Sequence, residues 1–514
     1  MFVDLGAKHG KIDVAQVLPG RNMLANETAE RAGAARERLK EELSKQPFLA
    51  ASTDLWTDEK TSTAYNTVNV TYITAEWDLC SRVIGTKPLP ERHTGANLFA
   101  AMRANLEAVG CWRQHGENIM YVTDNAANNR VAFEGRGRGW QSCYCHNLNL
   151  VMQDALRGTP EVAPLLEAAK KLVRFSKKTN VNSLIKASDP NGRGLKAAVP
   201  TRWNSEWVML DSIVHAHSSL TTMAGVAERD EVRQHMEVLE KEELEAVVAV
   251  LAFFNDASKQ LSASKQPTGF LVPLMLEHAR RQLQPAPADR PVVRQLKANL
   301  LHGILGSKFG GKIGANQYLA MALHPRYRRL QQLSQLAEET RSRVQELLKT
   351  EAVALYIQSV KDQPAVAATA GPTEPTPSTS AATTSTSAAI TFSLDLDAMS
   401  EDEVDDPAEL LPDSQLKDRA QMAVEREYSI YMMDKSGKDI KSGQELLCYW
   451  RSSEERLPTL AALARKVHAT PASSAKAERT FSEAGQIIEK RRTRLLSSRV
   501  DDLLIIRDSR DLLA

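Results

Sequence analysis

The sequence has few of the features that mark secreted and membrane-spanning proteins. It contains five cysteines in 514 residues, too few and too scattered for a disulfide framework, which indicates a reducing compartment. It has no run of about 18 apolar residues, so we expect no transmembrane helix and no membrane partner. The first residues, MFVDLGAKHGKID, have no apolar signal-peptide core, so we expect no secretory targeting. The expected compartment is the cytosol or the nucleus.

The sequence also lacks an excess of charge of either sign. With 65 basic and 64 acidic residues its formal net charge is +1, which argues against nucleic-acid binding through bulk basicity. Local basic clusters of the kind that contact phosphates are nevertheless present at 170–178, 326–329 and 490–499. The alternative is that each cluster is only a solvated helix face, and charge alone does not separate the two interpretations.

Residue periodicity predicts an α/β region in the first third of the chain. A chain of 514 residues is too long for one hydrophobic core, so two or three domains are expected. After a helical lead-in over 21–46, alternating or short apolar runs predict five strands, at 48–53, 64–73, 79–84, 119–122 and near Cys143. A helix is predicted over 97–109 between the third and fourth strands, and Gly110 is predicted to stop it.

The predicted order places an aspartate at the end of two strands. Asp54 follows the first strand in S-T-D-L-W-T, and Asp124 follows the fourth in V-T-D-N-A-A-N-N. In open α/β sheets the ligand-binding residues gather at the carboxyl ends of strands. The strand order and the aspartates resemble the RNase H fold. The alternative is that both aspartates only cap the turns after their strands.

The rest of the chain is predicted to be mostly helical around one linker. Residues 150–360 read as nearly all helix, with long amphipathic stretches at 236–251 and 330–348. Residues 363–390 and the acidic tract after them have too few large apolar groups to offset their ordering entropy, which predicts a disordered linker. The expected domains are a lead-in at 1–46, the first part of the core at 47–146, an all-α insertion at 147–360, the linker at 361–412 and the remaining core with a C-terminal segment at 413–514.

A third carboxylate, Glu478, has the context of a functional residue. In A-K-A-E-R-T-F-S-E-A-G it shares a helical stripe with Phe481, Gly485 and Ile488. A bare charge beside a large aromatic on an inward-facing stripe would be costly. Mg²⁺ would offset that cost, because carboxylate oxygens are hard ligands and two such ions can clamp both oxygens of a phosphodiester displacement. The alternative is a surface residue near a helix start, favoured by the helix dipole.

These motifs resemble, in order, those of the hAT (hobo/Activator) superfamily of transposases. The two aspartate motifs, at 52–57 and 122–129, are similar to the first two acidic motifs of the family. C-Y-C-H at 143–146 resembles its Cys-x-x-His element, and P-T-R-W-N-S at 200–205 its Arg-Trp element. The C-terminus, from L-C-Y-W-R at 447–451 onwards, resembles the hAT dimerisation segment nearly throughout.

The resemblance implies a fold and a set of residue roles. The fold is an α/β RNase H-like core interrupted by a large all-α insertion, with a C-terminal helical dimerisation segment. Asp54, Asp124 and Glu478 would be catalytic residues that bind Mg²⁺ or Mn²⁺. The residues that would bind DNA are Trp203, which would stack on a flipped base, Arg202, Arg479, Arg491 and Arg492. The residues that would support the dimer are Phe481, Leu495, Val500, Leu503 and Leu504.

For several of these residues a structural alternative stays open. Cys143 and His146 are interpreted as residues that order the active site rather than as a zinc site, because no second ligand pair follows at finger spacing. Trp203 could instead be a core or interdomain tryptophan. The apolar C-terminal residues could instead only cover the sheet of their own chain.

Two functions from different classes remain open. The first is a DDE-type DNA transposase, a two-metal enzyme that acts on DNA in the nucleus as a homodimer or larger homo-oligomer. The second is a catalytically silent, domesticated nuclear protein that dimerises and binds DNA or regulatory partners. A third possibility, an RNase H-like nuclease unrelated to transposition, fits the three carboxylates but not Trp203 or the C-terminal motifs.

The sequence departs from the family pattern at its N-terminus. Family members usually carry a DNA-binding zinc finger of the BED type there, and no cysteine precedes Cys80, so no such finger is expected in these residues. L-P-G-R at 18–21 resembles the segment that normally follows the finger. The expectations that follow are a truncated copy, an incomplete gene model or a domesticated descendant, each of which puts sequence-specific DNA recognition in doubt.

Overall fold

A single long helix leads into the first strand. The computed structural model describes residues 20–58, 62–188, 193–199, 204–225, 230–362, 412–488 and 495–513. Helix α1, Arg21–Ser44, confirms the predicted helical lead-in. Its buried residues recur every three or four positions, and the last two, Leu39 and Leu43, pack into the core that covers the sheet.

The α/β region is built on one five-stranded mixed sheet. The strands are β1 Ala50–Asp58, β2 Thr63–Ile73, β3 Leu79–Pro88, β4 Met120–Thr123 and β5 Gly139–Ser142. They lie in the order β3-β2-β1-β4-β5, with β1 to β3 antiparallel and with β4 and β5 parallel to β1. Parallel neighbours need crossover connections, and helices supply them: α2 Gly95–Ala108, α3 Cys111–His115 and α4 Ala127–Phe133.

Strand β1 differs most from its prediction. It was expected to end at residue 53, but it continues to Asp58, so Asp54 lies inside the strand and not at its exit. The extension exists because β2 pairs with every residue of β1, ending with Asp58 opposite Thr63. The prediction for the fourth strand is confirmed, since β4 stops immediately before Asp124, and the fifth strand lies near Cys143 as predicted. Gly110 has φ 76°, as the predicted helix stop requires.

A run of helices follows β5, as predicted. They are α5 Tyr144–Arg157, α6 Val162–Lys178, α7 Val181–Ser188, α8 Ser205–Ala224, α9 Asp230–Val238, α10 Lys241–Leu261, α11 Leu271–Gln282, α12 Pro291–Leu305, α13 Ala315–Ala322 and α14 Glu338–Lys361. The prediction of one continuous helix was wrong for two stretches. The 236–251 stretch breaks because Glu240 has ψ 129°, and in 330–348 the helix begins only at Glu338, because Ala337 has ψ 146°.

The C-terminal helices bring the chain back to the sheet. They are α15 Asp413–Met433, α16 Gly443–Ser453, α17 Pro458–His468, α18 Ala475–Ile487, α19 Ser497–Asp508 and α20 Arg510–Leu513. Helix α18 packs on β1 and β2, and α19 lies along β3 at the edge of the sheet. There Asp501 accepts a hydrogen bond from Thr86 N at 2.6 Å and Asp508 from Val83 N at 2.7 Å. The helix therefore covers the unpaired N–H groups of an edge strand.

The expected domain boundaries remain predictions. The linker prediction over 361–412 lies almost entirely outside the described residues. Among the residues that the structure does describe, no helix has the length and apolar character needed to cross a membrane.

Candidate active site

Two aspartates are brought side by side by the parallel pairing of β1 and β4. Ser52 pairs with Val122, and Asp54 and Asp124 each lie two residues further along their strands. Because neighbouring strands are about 4.8 Å apart, this register puts the two residues on adjacent positions of the sheet. The sequence predicted this convergence, although it placed Asp54 at a strand end.

Short hydrogen bonds fix one oxygen of each aspartate. Asp124 Oδ1 accepts from Asn129 Nδ2 at 2.6 Å and from Ala126 N at 3.0 Å. Asp54 Oδ1 accepts from Leu55 N at 2.8 Å. No group in the described ranges donates to either Oδ2, so one oxygen of each carboxylate is left for a ligand. Asn129 was not singled out from the sequence, although it belongs to the V-T-D-N-A-A-N-N motif.

The third carboxylate reaches the same place from the other end of the chain. Glu478 lies in the first turn of α18 and, with Asp54 and Asp124, lines an open cavity of about 740 Å³. One turn further along α18, Phe481 stacks on Trp56 of β1 with ring centroids 6.1 Å apart. The structure therefore brings together the three carboxylates that the sequence singled out, in one cavity.

Each of residues 470–474, which directly precede α18, forms a hydrogen bond to another part of the chain. The hydrogen bonds run from Arg138 Nη2 to Thr470 Oγ1 (2.9 Å), Gln141 Nε2 to Pro471 O (2.6 Å), Tyr144 N to Ala472 O (3.0 Å), Ala472 N to Thr268 Oγ1 (2.9 Å), Ser473 Oγ to Leu261 O (3.1 Å) and Ser474 N to Cys143 Sγ (3.4 Å). The partners belong to the sheet side and to the helical insertion. The position of Glu478 is therefore set from both sides.

Gln141 is the buried amide at the centre of these contacts. Its Oε1 accepts from Gln317 Nε2 at 2.5 Å, while its Nε2 donates to Pro471 O. Gln317 Oε1 in turn accepts from Gly314 N at 2.9 Å. Because both ends of the Gln141 amide are bonded, its orientation is fixed. A chain of two amides thus links the insertion to the segment that carries Glu478.

The three carboxylates crowd negative charge into a poorly solvated cavity. Desolvation, and then the charge of Asp124, raises the pKa of Asp54 to about 7. Desolvation, followed by the charges of Asp54 and Asp124, raises the pKa of Glu478 to about 9, against the opposing effect of Arg479. Near neutral pH the cluster therefore needs protons or cations to offset its charge.

The donor chemistry of the cluster fits Mg²⁺ or Mn²⁺. All three groups are carboxylates, which supply the oxygen ligands that these ions prefer, and their mutual repulsion is what a divalent cation would relieve. Within the described ranges, no group of three or more His, Cys, Asp or Glu side chains is already arranged to hold a metal ion.

The cavity is also lined by insertion residues that the sequence did not single out. Asn255, Ser258 and Lys259 of α10 line it, together with Asn149 of α5 and Asn204 at the start of α8. One signal was visible, because Asn255 and Ser258 are polar residues three positions apart on an otherwise apolar helical stripe. That pattern marks a polar contact in a core but does not say what it contacts.

Of the five residues implied in DNA binding, Arg479 is the one that the structure describes. Its Nη1 donates to Ser262 O at 3.0 Å, and the side chain lines the cavity next to Glu478. Trp203, Arg202, Arg491 and Arg492 lie outside the described residues, so their roles stay predictions.

The Cys-x-x-His element lies beside the carboxylates. Cys143 is fully buried, and its thiol accepts the hydrogen bond from Ser474 N four residues before Glu478. Desolvation, and then the charge of Glu478, raises the pKa of Cys143 to about 12, so the thiol stays protonated at neutral pH. His146 lines the cavity itself. The role of the pair as residues that order the site stays a prediction.

The residues implied in dimerisation make contacts within their own chain. Val500 and Leu504 are each 1% exposed and pack against Tyr65 of β2, with Leu495 partly buried beside them. Phe481 is buried against Trp56. Leu503 is half-buried. This is the packing that the alternative expected, and a role of these residues in a dimer remains a prediction.

Two parts of the chain match known protein families. Residues 427–509 match the hAT family C-terminal dimerisation region. Residues 141–250 match the ZBED1 RNase-like helical domain. The first match includes Glu478 and the second includes the Cys-x-x-His element.

Curated proteins also resemble the chain over longer stretches. The "Transposable element Hobo transposase" of Drosophila melanogaster is 25% identical over 308 residues, which cover 59% of this chain and 45% of the fly protein. The "Putative AC transposase" of Zea mays is 24% identical over 491 residues, which cover 90% of this chain and 57% of the maize protein. The chain thus spans about half the length of these relatives.

Proposed function

We propose that this chain is a transposase-type protein of the hAT superfamily, a transposase or a protein derived from one, and that it cuts DNA strands by metal-dependent phosphoryl transfer. The proposed catalytic residues are Asp54, Asp124 and Glu478. The sheet that carries them is proposed to be an RNase H-like core. Two observations support this fold. They are the strand order β3-β2-β1-β4-β5 and the match of residues 141–250 to an RNase-like helical domain.

One observation carries the proposal. Three carboxylates from separate parts of the chain line one cavity, and the pKa values of two of them are raised partly by the charges of the others. A fold gains no stability from such mutual repulsion, and a function that needs the charges accounts for it. Clustered residues with perturbed pKa values are the usual mark of an active site.

The proposed chemistry divides between a bound metal and the chain itself. Mg²⁺ or Mn²⁺ held by the three carboxylates would stabilise the charge that develops on the attacking and leaving oxygens of the phosphodiester. Asn129 Nδ2 donates to Asp124 Oδ1 and so holds that carboxylate, and the hydrogen bonds of residues 470–474 hold the start of the helix that carries Glu478. Lys259 and Arg479, which line the same cavity, would bind phosphates next to the cleaved bond.

The partners follow from the same proposal. The substrate would be DNA, and the hAT C-terminal dimerisation region over 427–509 supports a homodimer or a larger homo-oligomer. Action on chromosomal DNA would place the protein in the nucleus.

The test is metal-dependent cleavage of a hairpin-prone DNA end by the purified chain. We expect cleavage in Mg²⁺ or Mn²⁺ and a loss of at least about 100-fold in both Asp124→Ala and Glu478→Ala, since each removes a metal ligand. Glu483→Gln, on the same helix as Glu478, is the matched control and should cleave like the wild type. Equal behaviour of all four proteins, with oligomers still formed, would leave a catalytically silent, transposase-derived binding protein.

A further inference from the structure

One stretch of the chain is far more basic than the rest. Residues 162–199 contain eight lysines and arginines and two acidic residues, a formal charge of +6 in a chain whose net charge is +1. The remainder of the protein is therefore acidic overall. Such a local excess gives this stretch a positive field that the whole-chain charge conceals.

The basic residues of α6 lie on one exposed face. Lys171, Arg174, Lys177 and Lys178 follow the helical spacing and are all exposed. The opposite face carries the apolar residues, such as Leu172, that pack into the core of the insertion. The helix therefore presents a line of positive charge about 10 Å long to solvent.

Across the part of the chain that the structure describes, several other exposed basic residues are neutralised by local ion pairs, and the four on α6 are not. Arg31, Arg103 and Arg130 each form an ion pair with a glutamate four positions away. In residues 162–188 and 193–199, by contrast, the ion pair formed is that of Lys170 with Glu167, at 3.6 Å. No described carboxylate pairs with the four exposed residues of α6.

The basic residues continue from α6 towards the carboxylate cavity. Lys186 on α7 is exposed, as are Arg193 and Lys196 in the segment that follows. Val199, at the end of that segment, lines the cavity that contains Glu478. Three residues of chain span at most about 10 Å, so Lys196 lies within one DNA half-turn of the cavity.

We propose that these seven residues form a basic track that binds the phosphate backbone of duplex DNA leading to the carboxylate cavity. The track consists of Lys171, Arg174, Lys177, Lys178, Lys186, Arg193 and Lys196. This proposal rests on the proposed function, and it adds the surface that binds the duplex DNA next to the cleaved bond. Contacts of this kind position DNA and carry no sequence information, so binding along the track is independent of sequence.

Helix capping accounts for only part of the track. Lys177 and Lys178 lie in the last turn of α6, where the helix dipole favours positive charge. Lys171 lies more than a turn before that end, and Arg193 and Lys196 lie outside any helix. Binding of a polyanion accounts for all of them together.

The salt dependence of duplex DNA binding by the full chain tests the track. The variant replaces Lys171, Arg174, Lys177 and Lys178 by Gln, and the probe is a duplex of arbitrary sequence without added metal. Each lost phosphate contact lowers the slope of log Kd against log salt by about 0.9, so we expect a decrease of about 2–4. At about 0.1 M salt, Kd should rise at least about 10-fold.

A charge-matched variant controls for bulk charge. It replaces by Gln four exposed basic residues that each form an ion pair with a glutamate four positions away, namely Arg31, Lys45, Arg103 and Arg130. The track is supported if this variant binds DNA within about 3-fold of the wild type and keeps the wild-type salt slope. A second variant with Lys171→Arg, Lys177→Arg and Lys178→Arg, which keeps the positive charge, should bind like the wild type. Equal losses in both Gln variants, or no loss in either, overturn it.

The cleavage assay separates this inference from the proposed function. Track-dependent binding without any metal-dependent cleavage would refute the catalytic proposal and leave the track in place. Cleavage that depends on Glu478 but not on the track residues would refute the track alone.

Discussion

Asp54 and Glu478 hold their protons more tightly in the folded chain than in the unfolded one. Their folded pKa values are about 7 and about 9, against about 4 for unfolded carboxyls. The stability that these groups contribute is therefore fully present below pH ~4. It is lost as pH rises through about 7 for Asp54 and about 9 for Glu478. Without metal, the protein should lose stability over this window.

Replacing Glu478 by Gln should reduce the loss of folding stability with rising pH. The amide fills the same space without a charge, so the metal-free variant should melt about 1–4 °C above the wild type at pH 8. Near pH 3, where Glu478 is protonated in both states, the two proteins should melt together. Calorimetry over pH 3–9 in a chelator measures the difference.

Glu483 on the same helix supplies the control for this pH profile. Glu483→Gln also exchanges a carboxyl for an amide, but its partner is Arg507 at 3.4 Å and not the cluster. It should show no stabilisation at pH 8. Added Mg²⁺ should raise the melting temperature of the wild type and of Glu483→Gln more than that of Glu478→Gln. A Glu478→Gln profile parallel to the wild type would contradict the raised pKa.

At the residue scale, the sequence predicted the acids better than their surroundings. Asp54, Asp124 and Glu478 lie in distinctive motifs, and all three reach one cavity. Asn129 and Lys259 could not be assigned in the same way. Asn129 is one of three asparagines in its motif, and only the fold shows which of them bonds Asp124. Lys259 comes from a distant helix whose orientation toward the sheet is a tertiary property.

Residues 470–474 decide where the helix of Glu478 begins. The backbone of this segment is bonded to the sheet side through Pro471 O and to the insertion through Ala472 N. Helix α18 can therefore shift only if these contacts break. Gln141 is buried between the sheet and the insertion, and a single substitution there removes its hydrogen bonds to both Pro471 and Gln317.

Gln141→Leu should weaken metal binding more than a simple loss of stability would. The change leaves Pro471 O and the Gln317 amide without their partner, which costs about 1–3 kcal/mol in folding free energy. Because the freed segment holds the start of the helix that carries Glu478, the Mg²⁺ concentration that gives half the thermal shift should rise about 3- to 10-fold. Titrating Mg²⁺ against the melting temperature gives both quantities.

A distant amide separates positioning from stability. Asn299 donates to Gly158 O at 2.9 Å and to Thr159 Oγ1 at 2.9 Å, just after the end of α5, a helix about 20 Å long that starts next to Cys143. Asn299→Leu should lower the melting temperature but leave the Mg²⁺ midpoint unchanged. If Gln141→Leu and Asn299→Leu change the two quantities in the same proportion, Gln141 has only a structural role.

At the element scale, the errors came from pairing and from backbone geometry. The pattern of 48–58 predicted a short strand, and the observed length is set by β2, which pairs along all of β1. The apolar spacing of 236–251 fits one helix, yet the chain turns at Glu240. Periodicity records which side chains face a core, and it does so on either side of a break.

The whole molecule places the C-terminal segment over its own sheet. Val500 and Leu504 fill a small core with Tyr65, so they are committed within the chain. Two large apolar residues of the hAT dimerisation region remain open to solvent: Met433 is 79% exposed and Leu496 is 67% exposed. A dimer formed through this region would use such residues rather than the buried ones.

One variant should therefore affect the dimer alone, and another should affect the stability of the fold alone. Met433→Lys with Leu496→Lys places charge on exposed apolar positions, so it should shift the protein from dimer to monomer with little change in melting temperature. Val500→Ala opens a cavity in the small core, so it should cost about 1–3 kcal/mol of folding free energy and leave the dimer intact. Light scattering after size exclusion, beside calorimetry, measures both. Loss of the dimer in Val500→Ala without loss of stability would show instead that α19 leaves its own sheet to join a second copy.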